Sequence, residues 1–297
     1  MMRSRVGPAA AVMLVVVAVV GATLWARSVT ERRPRVVSPC HATLGTVSYP
    51  LDLEQAANAT TVAAVGKRLG LIDHAVTIAL ATALQESGLH NLASGDLDSL
   101  GLFQQRPSQG WGTPGEIMVP RYAAGAFYAR LAALPDWQAM AVTDAAQSVQ
   151  HSAAPDAYAQ WEPEARLLAQ VLTGEAPAGL SCRLPKPPGA VLAAELAQAM
   201  AQELGPPGTG VPVSVPRGWT VASWLVGHAH RYQIASVTFG PYRWGPGQGG
   251  WRPYAQASPQ VEVALAPRRG PSARGQRGLY EHADRPGPGH PRSFPVL

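Results

Sequence analysis

The chain has 297 residues, 46% of them apolar, enough for two modest cores or for one core with tails, and its formal net charge is +5. That charge sits at the ends: residues 1–35 hold six Arg against Glu31, residues 267–297 hold six Arg against Glu281 and Asp284, and 36–266 is left at −4. A mildly acidic middle with no basic patch interleaved with aromatics argues against nucleic acid as a partner.

The first element is apolar. Arg3 and Arg5 precede an uncharged run from Val6 to Ala26, and Arg27, Arg32, Arg33 and Arg35 follow it. The run is long enough to cross a bilayer. It reads as an uncleaved transmembrane anchor or as a signal peptide, the anchor being favoured because the candidate cleavage sites around Ala22 and Ala26 are mediocre. Either way the rest of the chain is expected outside the cell membrane, with 1–39 as anchor and linker. Cys40 and Cys182 are the only cysteines. In an oxidising compartment such a pair is expected to be a disulfide, here stapling the two ends of a domain over 40–182 by about 4 kcal/mol on the chain-entropy model.

Within 40–182 the pattern predicts helices over 53–69, 73–87, 120–134, 143–150 and 162–172. The second of these, HAVTIALATALQES, is apolar nearly all round and reads as the central core helix, stopped by Gly88. Residues 88–120 are rich in Gly and Pro and read as loop. No run alternates like a long strand, so the expectation for this region is all-α. After a linker at 176–189 the texture changes: a helix over 190–204, a short β-branched piece at 211–215, a helix from Pro216, and two strands at 234–239 and 261–265 flanking a Gly/Trp/Pro-rich turn. That predicts a small α+β domain over 190–266. The tail, 267–297, is Gly-, Pro- and Arg-rich and is expected to be disordered.

One carboxylate stands out. Glu86 closes the apolar helix, where burial and the negative helix end both favour a protonated carboxyl group of the kind glycoside cleavage needs. Behind it, Gly101 allows close backbone approach, Phe103 can wedge the loop into the core, and Gln104 and Gln105 offer amides to sugar hydroxyls or N-acetyl groups. Trp111, Tyr122, Trp137, Tyr158 and Trp161 offer flat faces to sugar rings.

In order and spacing these residues resemble the lysozyme-like lytic transglycosylases of the soluble-lytic type, with a looser likeness to goose-type lysozymes. The matching motifs are Gln85-Glu86-Ser87-Gly88, then Gly101-Leu102-Phe103-Gln104 with Pro107, then Ala157-Tyr158 leading to Trp161. The likeness spans about 55–174 and extends to exported actinobacterial cell-wall proteins that share the QES…DSLGLFQQRPSQGWG block. It implies Glu86 as the catalytic acid and base on peptidoglycan glycan strands, with Ser87, Asp98, Gln104, Gln105, Tyr158 and Trp161 around the substrate. It implies cleavage between N-acetylmuramic acid and N-acetylglucosamine, with no cofactor. Departures from the pattern are Gln105-Arg106 after the motif Gln and the acidic loop with Asp96 and Asp98, either of which positions a water, as an aspartate does in goose-type enzymes, or makes an Asx-turn. A muramidase hydrolysing the same bond and a non-catalytic wall-binding protein are the alternatives.

Residues 190–266 resemble the C-terminal domain of cell-wall proteins related to zinc-dependent D-alanyl-D-alanine peptidases, without that family's metal ligands. His228 and His230, two apart on an expected helix, point to different faces and are not expected to share a metal.

Overall fold

The computed structural model describes residues 38–152, 155–187, 189, 193–206 and 209–267. Strands β1 (Cys40–Leu44) and β2 (Val47–Leu51) form an antiparallel hairpin. Its two-residue turn is Gly45-Thr46, and Gly45 takes φ 59°, a left-handed value that glycine adopts without strain. Strand β3 (Leu180–Cys182) pairs with the other edge of β1, which gives the order β2-β1-β3 and sets Cys40 directly opposite Cys182. The two cysteines are joined in a disulfide.

Helix α1 (Leu53–Arg68) starts at a reciprocal cap in which the Asp52 carboxylate accepts from Gln55 N and the Gln55 side chain accepts from Asp52 N. Helix α2 (Asp73–Ser87) is the centre of the helical layer: Ala75 through Leu84 is buried without a break, and it contacts α1, α4 (Pro120–Ala132), α5 (Val142–Gln150) and α6 (Glu162–Thr173). A one-turn helix, α3 (Pro114–Ile117), precedes α4, and a 3-10 segment, Pro155–Trp161, leads into α6. Gly88 stops α2 in the left-handed conformation, φ 60°. Three further elements, α7 (Ala193–Glu203), α8 (Val215–Gly227) and the long hairpin β4 (Ile234–Trp244) with β5 (Arg252–Leu265), complete the described chain.

The later elements are seated on the earlier ones. Gly227 of α8 lies so close to α1 that a Cβ there would press on the Thr60 side chain and the Ala56 carbonyl. The Thr220 hydroxyl donates to the Thr173 carbonyl of α6, 2.9 Å away. Trp244 Nε1 and Trp251 Nε1 donate to the Cys182 and Leu180 carbonyls of β3, at 3.2 and 2.9 Å.

The all-α expectation for 40–182 is overturned: a three-stranded sheet joins its two ends. The strands are too short to give a period-2 run, and the partner that completes the sheet is remote in sequence. In the C-terminal part helix and strands occur as expected, but the piece read at 211–215 is no strand: Pro212 makes an isolated bridge to Gln260 and Val215 already opens α8, and the hairpin strands run well beyond the β-branched cores read from the sequence. Among the described residues no helix is long and apolar enough to cross a membrane, and the expected span at Val6–Ala26 lies outside them. The tail expected to be disordered, 267–297, also lies outside the described residues apart from Pro267.

Candidate active site

The last turn of α2 presents three consecutive polar side chains, each with a different partner. Ser87 Oγ turns back along the helix and contacts two carbonyls, Ala83 at 3.1 Å and Leu102 at 2.7 Å. It thereby fixes the Gly101–Gln104 turn against the helix end. Glu86, one position earlier, is half-buried, and its Oε1 accepts a 2.6 Å hydrogen bond from the Tyr158 hydroxyl. Oε2 has no hydrogen-bond partner among the described residues. Gln85 points to yet another side, where its Oε1 accepts from Trp161 Nε1 at 2.9 Å and Gln160 Nε2 at 3.1 Å. Gln85 thus anchors the 3-10 segment that carries Tyr158.

Tyr158 is fully buried. Burial, and then its bond to the Glu86 carboxylate, hold its hydroxyl well above the usual phenol range, so it stays a proton donor.

The turn after α2 is held from both sides. Gly101 takes φ 75° and donates N–H to the Leu92 carbonyl at 2.8 Å, and a Cβ there would press on the Ile117 carbonyl. Phe103 is the expected wedge: fully buried, it stacks on Phe127 of α4 with ring centroids 4.9 Å apart, while Gln150 Nε2 of α5 donates to its carbonyl at 2.8 Å. Gln104 is left half-exposed with a left-handed backbone, φ 47°. Its Nε2 donates to the Gly101 carbonyl at 3.0 Å and its amide oxygen occupies the space beside Gly95 that a side chain would fill.

The other residues read from the sequence lie elsewhere. Gln105 is 1% exposed and turned inward, its Nε2 donating to the Ala123 carbonyl of α4 at 3.0 Å. Asp98 receives Arg106 Nε at 2.6 Å and Ser108 N at 2.8 Å, and these two, the guanidinium above all, hold its carboxyl below the usual range. Trp111 is covered by the Arg130 guanidinium, 3.5 Å above its ring, and Trp137 is buried against His74. Tyr122 remains 36% exposed, on α4. So Glu86, Ser87, Tyr158 and Trp161 converge on the end of α2, Gln104 braces the neighbouring loop, and Asp98 and Gln105 do not join them.

Sequence reasoning missed Gln85 and Gln150 as positioning residues. The available signal for Gln85 was its adjacency to Glu86: successive helical positions point about 100° apart, so two polar neighbours at a helix end serve different faces.

His228 does not sit on a helix with His230. It caps the end of α8, buried under Trp224, with its Nδ1 donating to the Trp224 carbonyl at 3.0 Å, whereas His230 is exposed in the following turn. Five of the surface cavities formed by described residues are lined by residues other than Glu86. No protein-family model matches this chain, and no curated protein matches it.

Proposed function

We propose that this chain is a murein lytic transglycosylase in which Glu86 serves in turn as acid and base. The observation that carries the reading is the 2.6 Å hydrogen bond from Tyr158 to Glu86 Oε1, which joins two motif residues 72 positions apart. Tyr158 fixes the carboxyl group by one oxygen, and Oε2 remains for the proton that moves. In the proposed step Glu86 gives that proton to the glycosidic oxygen and the bond from that oxygen to the muramyl C1 breaks. The substrate's own acetamido group stabilises the cationic carbon. The Glu86 carboxylate then takes the proton of the muramyl 6-hydroxyl as that oxygen bonds to C1, giving a 1,6-anhydro ring. One protein carboxyl group suffices. Hydrolysis by a positioned water calls for a second carboxylate; of the two loop candidates, Asp98 is already engaged by Arg106 and Ser108, and Asp96 is exposed. On this reading the chain works outside the cytoplasmic membrane on glycan strands, tethered there or released after cleavage.

The second reading is a non-catalytic wall-binding protein that keeps the Glu86 region for glycan. Incubation of the purified protein with peptidoglycan, followed by mass spectrometry, decides between them. Anhydro-muropeptides support the transglycosylase, and reducing-end products point to a muramidase. No soluble product, under conditions where an authentic enzyme works, leaves the binding protein. Tyr158→Phe is expected to keep the product and lower kcat by about tenfold, the scale of one lost hydrogen bond to a charged group.

A further inference from the structure

The largest of those five cavities lies away from Glu86. It is an open cleft of about 800 Å³ between the end of α1, α3, the outer face of α4 and α7, with Arg68, Glu116, Arg121, Tyr122, Gly125 and Gln202 on its walls. It borders the same stretch of chain that forms the site. That stretch starts at the Gly101 turn and ends at Thr113, on the cleft, where Gly112 is packed under the Tyr122 ring.

Three features of this cleft bear on what it can bind. Arg68 and Arg121 are exposed and, among the described residues, form no ion pair. Glu116 closes the Thr113 capping box of α3 with one oxygen, which accepts from Thr113 N and Oγ1 at 2.8 Å each, and its other oxygen is without a partner among the described residues. Gly125 stands in the interior of α4, where glycine is a poor helix former. Its φ is not left-handed, and a Cβ built on it meets nothing within 4 Å. Neither backbone geometry nor packing asks for glycine there, and its effect is to keep the cleft floor open.

We propose that this cleft binds a peptide bearing free carboxylates, and, resting on the reading above, that the peptide is the stem attached to the glycan. Two guanidiniums suit carboxylates, which they bind as planar forks. Glu116 and Gln202 supply acceptors for amide N–H groups, which a peptide has and a polyphosphate lacks, and Tyr122 and the small residues of α4 take short apolar side chains.

The test is fluorescence anisotropy with fluorescein-labelled Ala-Glu-Lys-Ala bearing free carboxylates, with its fully amidated counterpart, and with poly(glycerol phosphate), using the whole protein. The carboxylate peptide is expected to bind about tenfold more tightly than the amidated one, with Arg68→Gln and Arg121→Gln each removing most of that margin. The decisive variant is Gly125→Leu. It should weaken the peptide by about tenfold or more while raising the thermal midpoint by about 2–4 °C, a pairing that a merely structural glycine does not give. Equal binding of the two peptides, peptide binding indifferent to Gly125→Leu, or tighter binding of the polyphosphate would overturn the proposal. Peptide binding by a wild-type protein that cleaves no glycan would remove the transglycosylase and leave this site standing.

Discussion

Two glutamates close helices in this protein, and their surroundings differ in one respect that matters. Glu203, the last residue of α7, receives both the Thr61 hydroxyl at 2.6 Å and Trp224 Nε1 at 2.7 Å on the same oxygen, Oε2. Its donors come from α1 and α8, so it ties three helices together. Glu86, at the end of α2, receives a single donor, Tyr158, on one oxygen; in both side chains the second oxygen is without a partner among the described residues. Both carboxyl groups sit beside a buried aromatic. What separates a structural carboxylate from a candidate catalytic one here is how much hydrogen-bonding capacity is already spoken for, and by how many elements.

That contrast can be broken in several ways. Glu86→Gln should lower the rate of glycan cleavage by about 10²–10⁴-fold, the range of a general acid, and leave the thermal midpoint within about 1 °C. A variant that loses both activity and stability would make Glu86 a second Glu203. Reduction of Cys40–Cys182 should lower stability by about 2–5 kcal/mol, read by denaturant unfolding with and without reductant. Because neither glutamate touches the bridge, cleavage below the new midpoint should persist. Glu203→Ala should cost about 1–3 kcal/mol by leaving Thr61 and Trp224 without their acceptor, with cleavage unchanged within about twofold.

The smallest effect concerns pH. His228 is packed between α1 and α8, facing Thr60, Thr61, Trp224 and Tyr232, with the charges of Glu203 and Arg231 nearby. Burial, the largest influence, lowers its pKa, although the Glu203 charge opposes it. The unfolded chain therefore takes up this proton first. The contribution of neutral His228 is complete above the unfolded value of about 6.5 and is lost as pH falls below it. His90 acts in the opposite sense. Its burial is outweighed by the Asp52 carboxylate 2.9 Å away, so its pKa is raised and its contribution fades as pH rises. The comparison to make is thus wild type against His228→Asn: the difference in midpoint should shrink between pH 7.5 and pH 5.5. A constant difference would remove His228 as the source.

Much of the helical layer was legible because long apolar segments with clear stops leave little choice. Helix α2 runs Asp73–Ser87 with Gly88 behind it, as the pattern of that stretch predicts, and Phe103 fills the core as its position suggested. The β1–β2 hairpin was not read, although Leu44-Gly45-Thr46-Val47 carries a two-residue turn signal, because the strands beside it are brief. Of the site, Glu86 and Tyr158 could be picked by motif. The roles of Gln104 and Gln105 could not be separated, since two adjacent amides look alike until a left-handed backbone at Gln104 sends one to the surface and the other into α4. Asp98 and Arg106 are far enough apart in a Gly-rich loop that only tertiary geometry pairs them.

Gly227 brings α8 hard against α1, and this contact has a consequence for the order of events during synthesis. At about 5–20 residues per second, α1 leaves the ribosome on the order of ten seconds or more before the helix that covers it. Both cysteines are also made before α8. The ring closed by Cys40 and Cys182 can therefore form while α1 still lacks its lid, and the late arrival of a helix with a bare glycine at its contact point lets that lid slide into a frame already tied shut.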